Sequence, residues 1–235
     1  MKPMNRSLAG AMIAVLVLPV FAGLLAFLPV PIGDPEKSRI DPELSGMWIG
    51  TFEDLDIALF EPYDKRTWLL TMIEVNSGEE DCDWPDDTDD VDNSDIDAID
   101  WTYDRVIREM GPLESGCLQS DSLVLFKVWM KKLGGQWFMT WEKKGVFDDE
   151  DEFDTEEWWV FRIDKRDPDK FFLWVINEGY DGFDDVDETR KAYERVIKKN
   201  VDGTDLYAED PWVFWRVQPE DRPNFIAIMG DLVSD

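Results

Sequence analysis

Apolar and polar residues alternate along much of the chain, and a period of two predicts β-strands. Between Leu123 and Lys131 every second residue is apolar, so one face of this segment is apolar. Trp137 and Trp141 lie on one face of the segment that follows. Because Gly134 and Gly135 separate the two segments, they predict a β-hairpin with a tight turn.

Further strand-like segments precede and follow this hairpin. The one from Trp68 to Val75 is apolar apart from Thr71 and Glu74, which suggests burial on both faces or a side that faces a ligand. Strands are predicted at Trp68–Val75, Trp158–Asp164, Phe171–Asn177 and Trp212–Val217, with a weaker one at Phe225–Met229. One helix is predicted between Asp185 and Lys199, because acidic residues lie near its start and lysines near its end. The predicted fold is therefore mainly β: an antiparallel sheet or barrel with one late α-helix.

A different pattern occupies the amino terminus. From Leu8 to Ile32 the chain carries 25 uncharged residues, mostly apolar or small, which is enough to cross a bilayer core of about 30 Å. Lys2 and Arg6 precede this run and make a positive amino-terminal region. An uncleaved single-pass anchor and a signal peptide cut after Ala22 both fit this pattern, and the length of the run favours the anchor.

The charge around this segment predicts the side on which the rest of the chain lies. Lys2 and Arg6 favour a cytoplasmic amino terminus, with the domain on the extracytoplasmic, periplasmic side of the cytoplasmic membrane. Lys37 and Arg39 follow the apolar run closely and leave the opposite orientation open. The predicted organisation is an anchor at 1–32, a proline-punctuated tether at 33–45 and an acidic β-rich domain at 46–235.

Acidic residues dominate this domain. The whole chain carries 53 acidic and 24 basic residues, for a net charge of −29, and every acidic residue follows the apolar run. Such a surface repels phosphate backbones, so nucleic acid is not an expected partner. With 44% apolar residues and 12 tryptophans, the chain is nevertheless predicted to fold rather than to form a disordered acidic tail.

The chain contains no histidine, which excludes Ser-His-Asp and Cys-His catalysis and imidazole ligation of metals. No catalytic motif is recognised, and we expect a protein that is not an enzyme and has no cofactor. The two cysteines, Cys82 and Cys117, have no metal-binding spacing. Outside the cytoplasm they can form a disulfide, and in a reducing compartment they are two free thiols.

Two acidic insertions interrupt the strand pattern. Residues 79–100 contain twelve acidic residues and no basic one, and residues 148–157 contain eight acidic residues. Carboxylates at alternating positions are typical ligands of calcium. However, a loop starting at Asp90 lacks the glycine and the closing glutamate of an EF-hand, so a solvated acidic loop is the simpler interpretation. The candidate calcium ligands are Asp86, Asp87, Asp89, Asp90 and Asp92.

The tryptophans on the predicted strands have two interpretations. Most are expected to be core residues, and in a closed barrel some can line a cavity for an apolar ligand. The candidate ligand-binding residues are Trp68, Trp137, Trp141, Trp159 and Trp174.

The first strand begins with Gly46-Met47-Trp48, and this motif resembles the Gly-x-Trp signature of lipocalin-like (calycin) barrels. The resemblance implies that Trp48 closes one end of a barrel and stacks against an arginine from a late strand. Arg216 is the matching candidate, and the contact is a cation–π interaction. The family also binds small apolar ligands, which makes such binding the alternative function.

The function predicted from the whole pattern is that of a membrane-anchored accessory or interaction protein. Its expected contacts are membrane lipid, through residues 8–32, and either other subunits of a membrane complex or a basic protein surface.

Overall fold

The computed structural model describes residues 27–51, 55–77, 100–109, 118–147, 158–208 and 210–231. Its main element is a closed antiparallel barrel of eight strands, β2 to β9, in which neighbours along the chain are neighbours in space. The last strand pairs with the first through the contact of Ile49 with Trp215, which closes the barrel. The short strand β1 adds to the edge of β7 beyond the end of β8.

The strands are β1 (Phe27–Leu28), β2 (Gly46–Thr51), β3 (Leu55–Pro62), β4 (Trp68–Ser77), β5 (Leu118–Leu133), β6 (Gln136–Phe147), β7 (Trp158–Asp167), β8 (Lys170–Val175) and β9 (Trp212–Arg216). The helices are α1 (Tyr103–Glu109), α2 (Arg190–Asn200) and α3 (Arg222–Asp231).

The predicted β5–β6 hairpin is confirmed. Gly134 and Gly135 both have positive φ, at 58° and 94°, as a two-residue turn between twisted strands requires. The mainly β prediction is also confirmed, and the closed barrel settles the choice between an open sheet and a barrel.

The carboxyl-terminal segment Phe225–Met229 was wrongly predicted to be a strand and lies in helix α3. A short apolar run does not distinguish a strand from a helix by period alone. Phe225 and Ile228 are buried three residues apart, whereas Ile226 is 58% exposed, which is the spacing of a helix with one buried face. Helix α1 and strand β3 were not predicted.

Aromatic and aliphatic side chains fill the described part of the barrel interior. Trp141 on β6 contacts Trp212 on β9, with ring centroids 6.1 Å apart, although two strands separate β6 from β9. Phe60 and Phe171 similarly meet from β3 and β8 at 6.3 Å. The rings therefore meet across the barrel axis.

Two apolar layers cover the outside of the barrel. Helices α1 and α3 cover one side, where Val106 and Phe225 are fully buried. Helix α2 and the amino-terminal segment cover another side, where Ile32 and Ile197 are fully buried. The barrel wall between these layers and the interior is thus apolar on both faces.

The amino-terminal segment differs from its prediction. Residues 27–32, predicted as the end of the anchor, pack on the outside of the barrel, where Phe27 pairs with Trp159 and Ile32 is fully buried. Residues 33–45, predicted as a tether, pack along the barrel as well. Within them the Ser38 hydroxyl donates to the Met130 carbonyl and accepts from the Met130 amide. Their prolines begin 3-10 turns, each preceded by an aspartate cap, which is why they resemble a linker in sequence.

No helix among the described residues is long and apolar enough to cross a membrane. Residues 8–26 of the predicted anchor lie outside the described part of the chain. So do the acidic residues 79–99 and 148–157, with the candidate calcium ligands at 86–92, and both cysteines, Cys82 and Cys117. Within the described residues, no group of three or more acidic or cysteine side chains is placed to hold a metal ion.

Candidate functional site

Trp48 and Arg216 form the floor of the barrel. The Arg216 guanidinium carbon lies 4.2 Å from the centroid of the Trp48 ring, and the two residues are paired across β2 and β9. The indole Nε1 donates to the Leu44 carbonyl at 2.8 Å, which fixes the ring plane. Gly46 has a φ of 123°, and a Cβ there would lie 3.2 Å from Arg216 Nη1. The Gly-x-Trp spacing therefore has a physical reason in this chain.

Each nitrogen of the Arg216 guanidinium donates a hydrogen bond. Nε donates to the Pro168 carbonyl and Nη1 to the Ser45 carbonyl, each at 3.2 Å, and Nη2 donates to the Glu43 carbonyl. Asp169 Oδ1 lies 3.3 Å from Nε. Burial lowers the pKa of Arg216 and the Asp169 carboxylate opposes that shift. The floor is a closed, hydrogen-bonded structural unit.

The five candidate tryptophans do not line one cavity. Trp68 and Trp141 are fully buried in the barrel interior, and Trp159 packs against the same cluster. Trp137 is 45% exposed, because it lies two residues after the β5–β6 turn at the end of the hairpin. Trp174 is on the outside of the barrel, next to the layer that α2 covers.

The outer face around Trp174 holds a pocket of about 660 Å³. One wall is the barrel, where Arg162 on β7 lies directly opposite Trp174 on β8. The other wall is the connection from α2 to β9. This pocket falls within the size range of small-molecule sites, about 300–1,000 Å³. The lining residues are Arg162, Trp174, Asn177, Asp202, Gly203, Thr204, Asp205, Tyr207 and Ala208.

Arg162 is held between two aromatic rings in this pocket. Its guanidinium carbon lies 4.3 Å from the Tyr207 ring centroid and 5.2 Å from that of Trp174. Its Nε is buried and has no hydrogen-bond acceptor among the described residues, and the same is true of Trp174 Nε1. Burying a donor without a partner costs about 1–3 kcal/mol. The pocket therefore contains two donors that lack partners.

Tyr207 is tied to the connection behind the pocket. Its hydroxyl donates to the Val201 carbonyl at 2.8 Å, just after the end of α2. Burial raises the pKa of Tyr207 and the nearby Arg162 opposes that shift, so the phenol is neutral at physiological pH. The ring is consequently a fixed apolar face for the Arg162 guanidinium.

The chain matches no protein-family model, no curated protein and no solved structure. Its candidate site therefore depends on its own geometry. Trp174 is among the residues that the sequence predicts for a ligand site, whereas Arg162 and Tyr207 are not. The available signal was a single arginine in the apolar strand Trp-Trp-Val-Phe-Arg-Ile, at a position that alternation places outside the barrel.

Proposed function

We propose that this chain is a non-catalytic, membrane-anchored accessory protein, with a calycin-like barrel that presents an acidic surface on the extracytoplasmic side of the cytoplasmic membrane. Its proposed partner is another subunit of a membrane complex or a basic protein surface. The eight-stranded barrel, the Gly46-x-Trp48 floor with Arg216 and the net charge of −29 support this proposal.

The observation that carries the proposal is the attachment of the amino-terminal segment to the barrel. The Ile32 carbonyl accepts buried hydrogen bonds from Trp129 Nε1 at 2.7 Å and from Thr140 Oγ1 at 2.8 Å. Strand β1 precedes this point and Ser38 follows it. From Phe27 onward, the chain that follows the apolar run is therefore packed on the barrel.

The remaining apolar residues still suffice for a membrane span. Residues 8–26 would form a helix of about 28 Å at 1.5 Å per residue, close to the bilayer core of about 30 Å. An anchor of this length would end where β1 begins, and it would hold the barrel in one orientation at the membrane surface.

The charge of helix α2 supports the same orientation. Arg190 Nη1 donates to the Gly33 carbonyl at 2.8 Å, and Glu194 accepts from the Gly33 amide at 3.0 Å, so α2 lies beside the anchor's continuation. The helix carries five basic residues and one acidic residue in a strongly acidic protein. Each Lys or Arg near an anionic membrane surface contributes about 1 kcal/mol. We expect this face to lie toward the lipid headgroups, with the acidic surface directed away.

Fractionation of cells that produce the full chain or a variant lacking residues 8–26 tests the anchor. We expect the full chain to stay in membranes after an alkaline wash and the variant to be released. Protease added outside the cytoplasmic membrane should digest the domain. A mature protein that begins at Gly23 or later would contradict the proposal.

Purification from detergent-solubilised native membranes tests the accessory role. We expect a membrane partner to co-purify at a constant ratio and to dissociate as salt rises, because charged contacts are screened. A chain that elutes alone at low salt would contradict this role. Binding of a small apolar ligand inside the barrel is the alternative function. It has less support, because aromatic rings that meet across the barrel axis fill the described part of the interior.

A further inference from the structure

We propose that the pocket between Arg162 and the connection from α2 to β9 binds a small zwitterion, such as a free amino acid or a short peptide. The carboxylate would bind Arg162, and the ammonium group would face Asp202 and Asp205. This inference does not depend on membrane attachment. It concerns a pocket outside the barrel, separate from both the barrel interior and the floor.

The surroundings of Arg162 indicate that the ligand carries a carboxylate. Its guanidinium carbon lies close to the rings of Tyr207 and Trp174, and a side-chain hydrogen bond joins Arg162 to Tyr207. The buried Nε nevertheless lacks an acceptor, and the ion pairs among the described residues do not include Arg162. Planar guanidinium groups bind carboxylates through two parallel hydrogen bonds, which suits a ligand carboxylate.

The indole N–H of Trp174 is a second donor that a ligand carboxylate could accept from. Trp174 Nε1 is also buried without an acceptor, and Trp174 lies opposite Arg162 in the β7–β8 ladder. Trp68 Nε1 and Trp141 Nε1 in the barrel interior are buried without an acceptor in the described chain as well. What distinguishes Trp174 is its place beside Arg162 in the wall of the pocket. A small rearrangement of the pocket on binding would allow one ligand carboxylate to serve both donors.

The opposite wall carries the charge that a cation requires. Asp202 and Asp205 line the pocket, and both residues are exposed. They follow the carboxyl-terminal end of α2, which carries a partial negative charge. A purely anionic ligand would be repelled by this wall, and a purely cationic one by Arg162. A molecule with both charges is complementary to the whole pocket.

Calorimetry on the full chain in detergent tests the proposal with the twenty free L-amino acids and trialanine as probes. We expect at least one probe to bind with a Kd below about 1 mM. For trialanine, the N-acetylated form and the C-terminal amide should each bind at least tenfold more weakly, because each lacks one charge. The absence of binding by every probe would overturn the proposal.

Matched variants separate the pocket from general charge effects. Arg162→Gln should weaken the bound probe at least tenfold, whereas Arg162→Lys, which retains the charge, should weaken it less. Arg39→Gln, an exposed arginine away from the pocket, should leave binding unchanged. The double variant Asp202→Asn with Asp205→Asn should weaken the zwitterion but not the N-acetylated form. Equal binding by wild type and Arg162→Gln would contradict the assignment.

Discussion

Two arginines of this barrel stack on aromatic rings, and their surroundings differ. Arg216 lies over Trp48 at the barrel floor and uses its donors on three carbonyls and one carboxylate. Arg162 lies between Tyr207 and Trp174 on the outer wall, with a buried Nε that has no acceptor within the described chain. The ring contact is shared, so the hydrogen-bond partners are what distinguish the two sites.

The same contact, an arginine stacked on an aromatic ring, therefore occurs in two different hydrogen-bonding environments. At the floor, the carbonyls of residues 43, 45 and 168 surround the Arg216 guanidinium. The segment before β2 and the turn between β7 and β8 meet there. On the outer wall, the connection from α2 to β9 contributes Tyr207 and two aspartates but places no acceptor on Arg162 Nε. Arg216, whose three nitrogens all donate to the protein, stabilises the fold. Arg162, whose buried Nε has no acceptor in the described chain, is available to a ligand.

The largest expected effect is at the floor. Trp48→Ala removes a fully buried ring together with its contacts to Arg216 and Phe171, and we expect unfolding free energy to fall by about 3–5 kcal/mol. Urea unfolding monitored by circular dichroism measures this loss. Trp137→Ala is the matched control, because that ring is exposed, and it should change stability by less than about 1 kcal/mol. Equal losses would show that Trp48 has no special role.

Arg216→Ala should have the next largest effect. It removes charge-assisted hydrogen bonds to three carbonyls and the ring contact, and we expect a loss of about 2–3 kcal/mol in the same unfolding assay. Arg216→Lys should recover part of the loss, because it keeps the charge but not the planar fork. If the alanine variant unfolds like wild type, the floor is not the structural unit described above.

Tyr207→Phe tests whether the Tyr207 hydroxyl stabilises the wall of the pocket. It removes the hydrogen bond to the Val201 carbonyl, and we expect a loss of about 1 kcal/mol at neutral pH. Because burial raises the pKa of Tyr207, its stabilising contribution is fully present below the ordinary tyrosine pKa of about 10 and is lost as pH rises toward the folded-state pKa. Unfolding free energy should therefore fall less steeply above pH 10 in the variant. Identical slopes in both proteins would contradict this assignment.

Arg162→Met should have the smallest effect on stability. The methionine replaces the stem that packs between Tyr207 and Trp174 and removes a buried donor without a partner, so we expect a change of less than about 1 kcal/mol. The same variant should lose binding of the zwitterion. A loss as large as that of Arg216→Ala would mean that both arginines are structural, and the comparison would fail.

Local patterns predicted much of the barrel but not the whole fold. Alternation and continuous apolar runs predicted β4 to β9 near their observed positions, because these strands are buried on one face or on both. Phe225–Met229 was wrongly assigned, because five apolar residues fit a strand or a buried helix equally well. The tether at 33–45 was misread because prolines that begin 3-10 turns against a barrel resemble those of a linker.

Some residues of the candidate sites could likewise be predicted from the sequence and others could not. Trp48 and Arg216 were chosen together from a family resemblance, and the structure places them in contact. Trp174 was chosen for a cavity inside the barrel, but it lies outside, because alternation from Leu173 and Val175 directs it outward. Arg162 and Tyr207 were missed, because they are 45 residues apart in sequence and meet only across the end of β8.

The sequence by itself determined the strand pattern, the acidic composition and the Gly46-x-Trp48 spacing, since these depend on neighbours along the chain. Tertiary structure decided that the barrel closes, that residues 27–45 pack against it and that Arg162 lies between two rings without an acceptor. These features depend on strand register and on segments that meet from distant parts of the chain. Alternation alone determines neither.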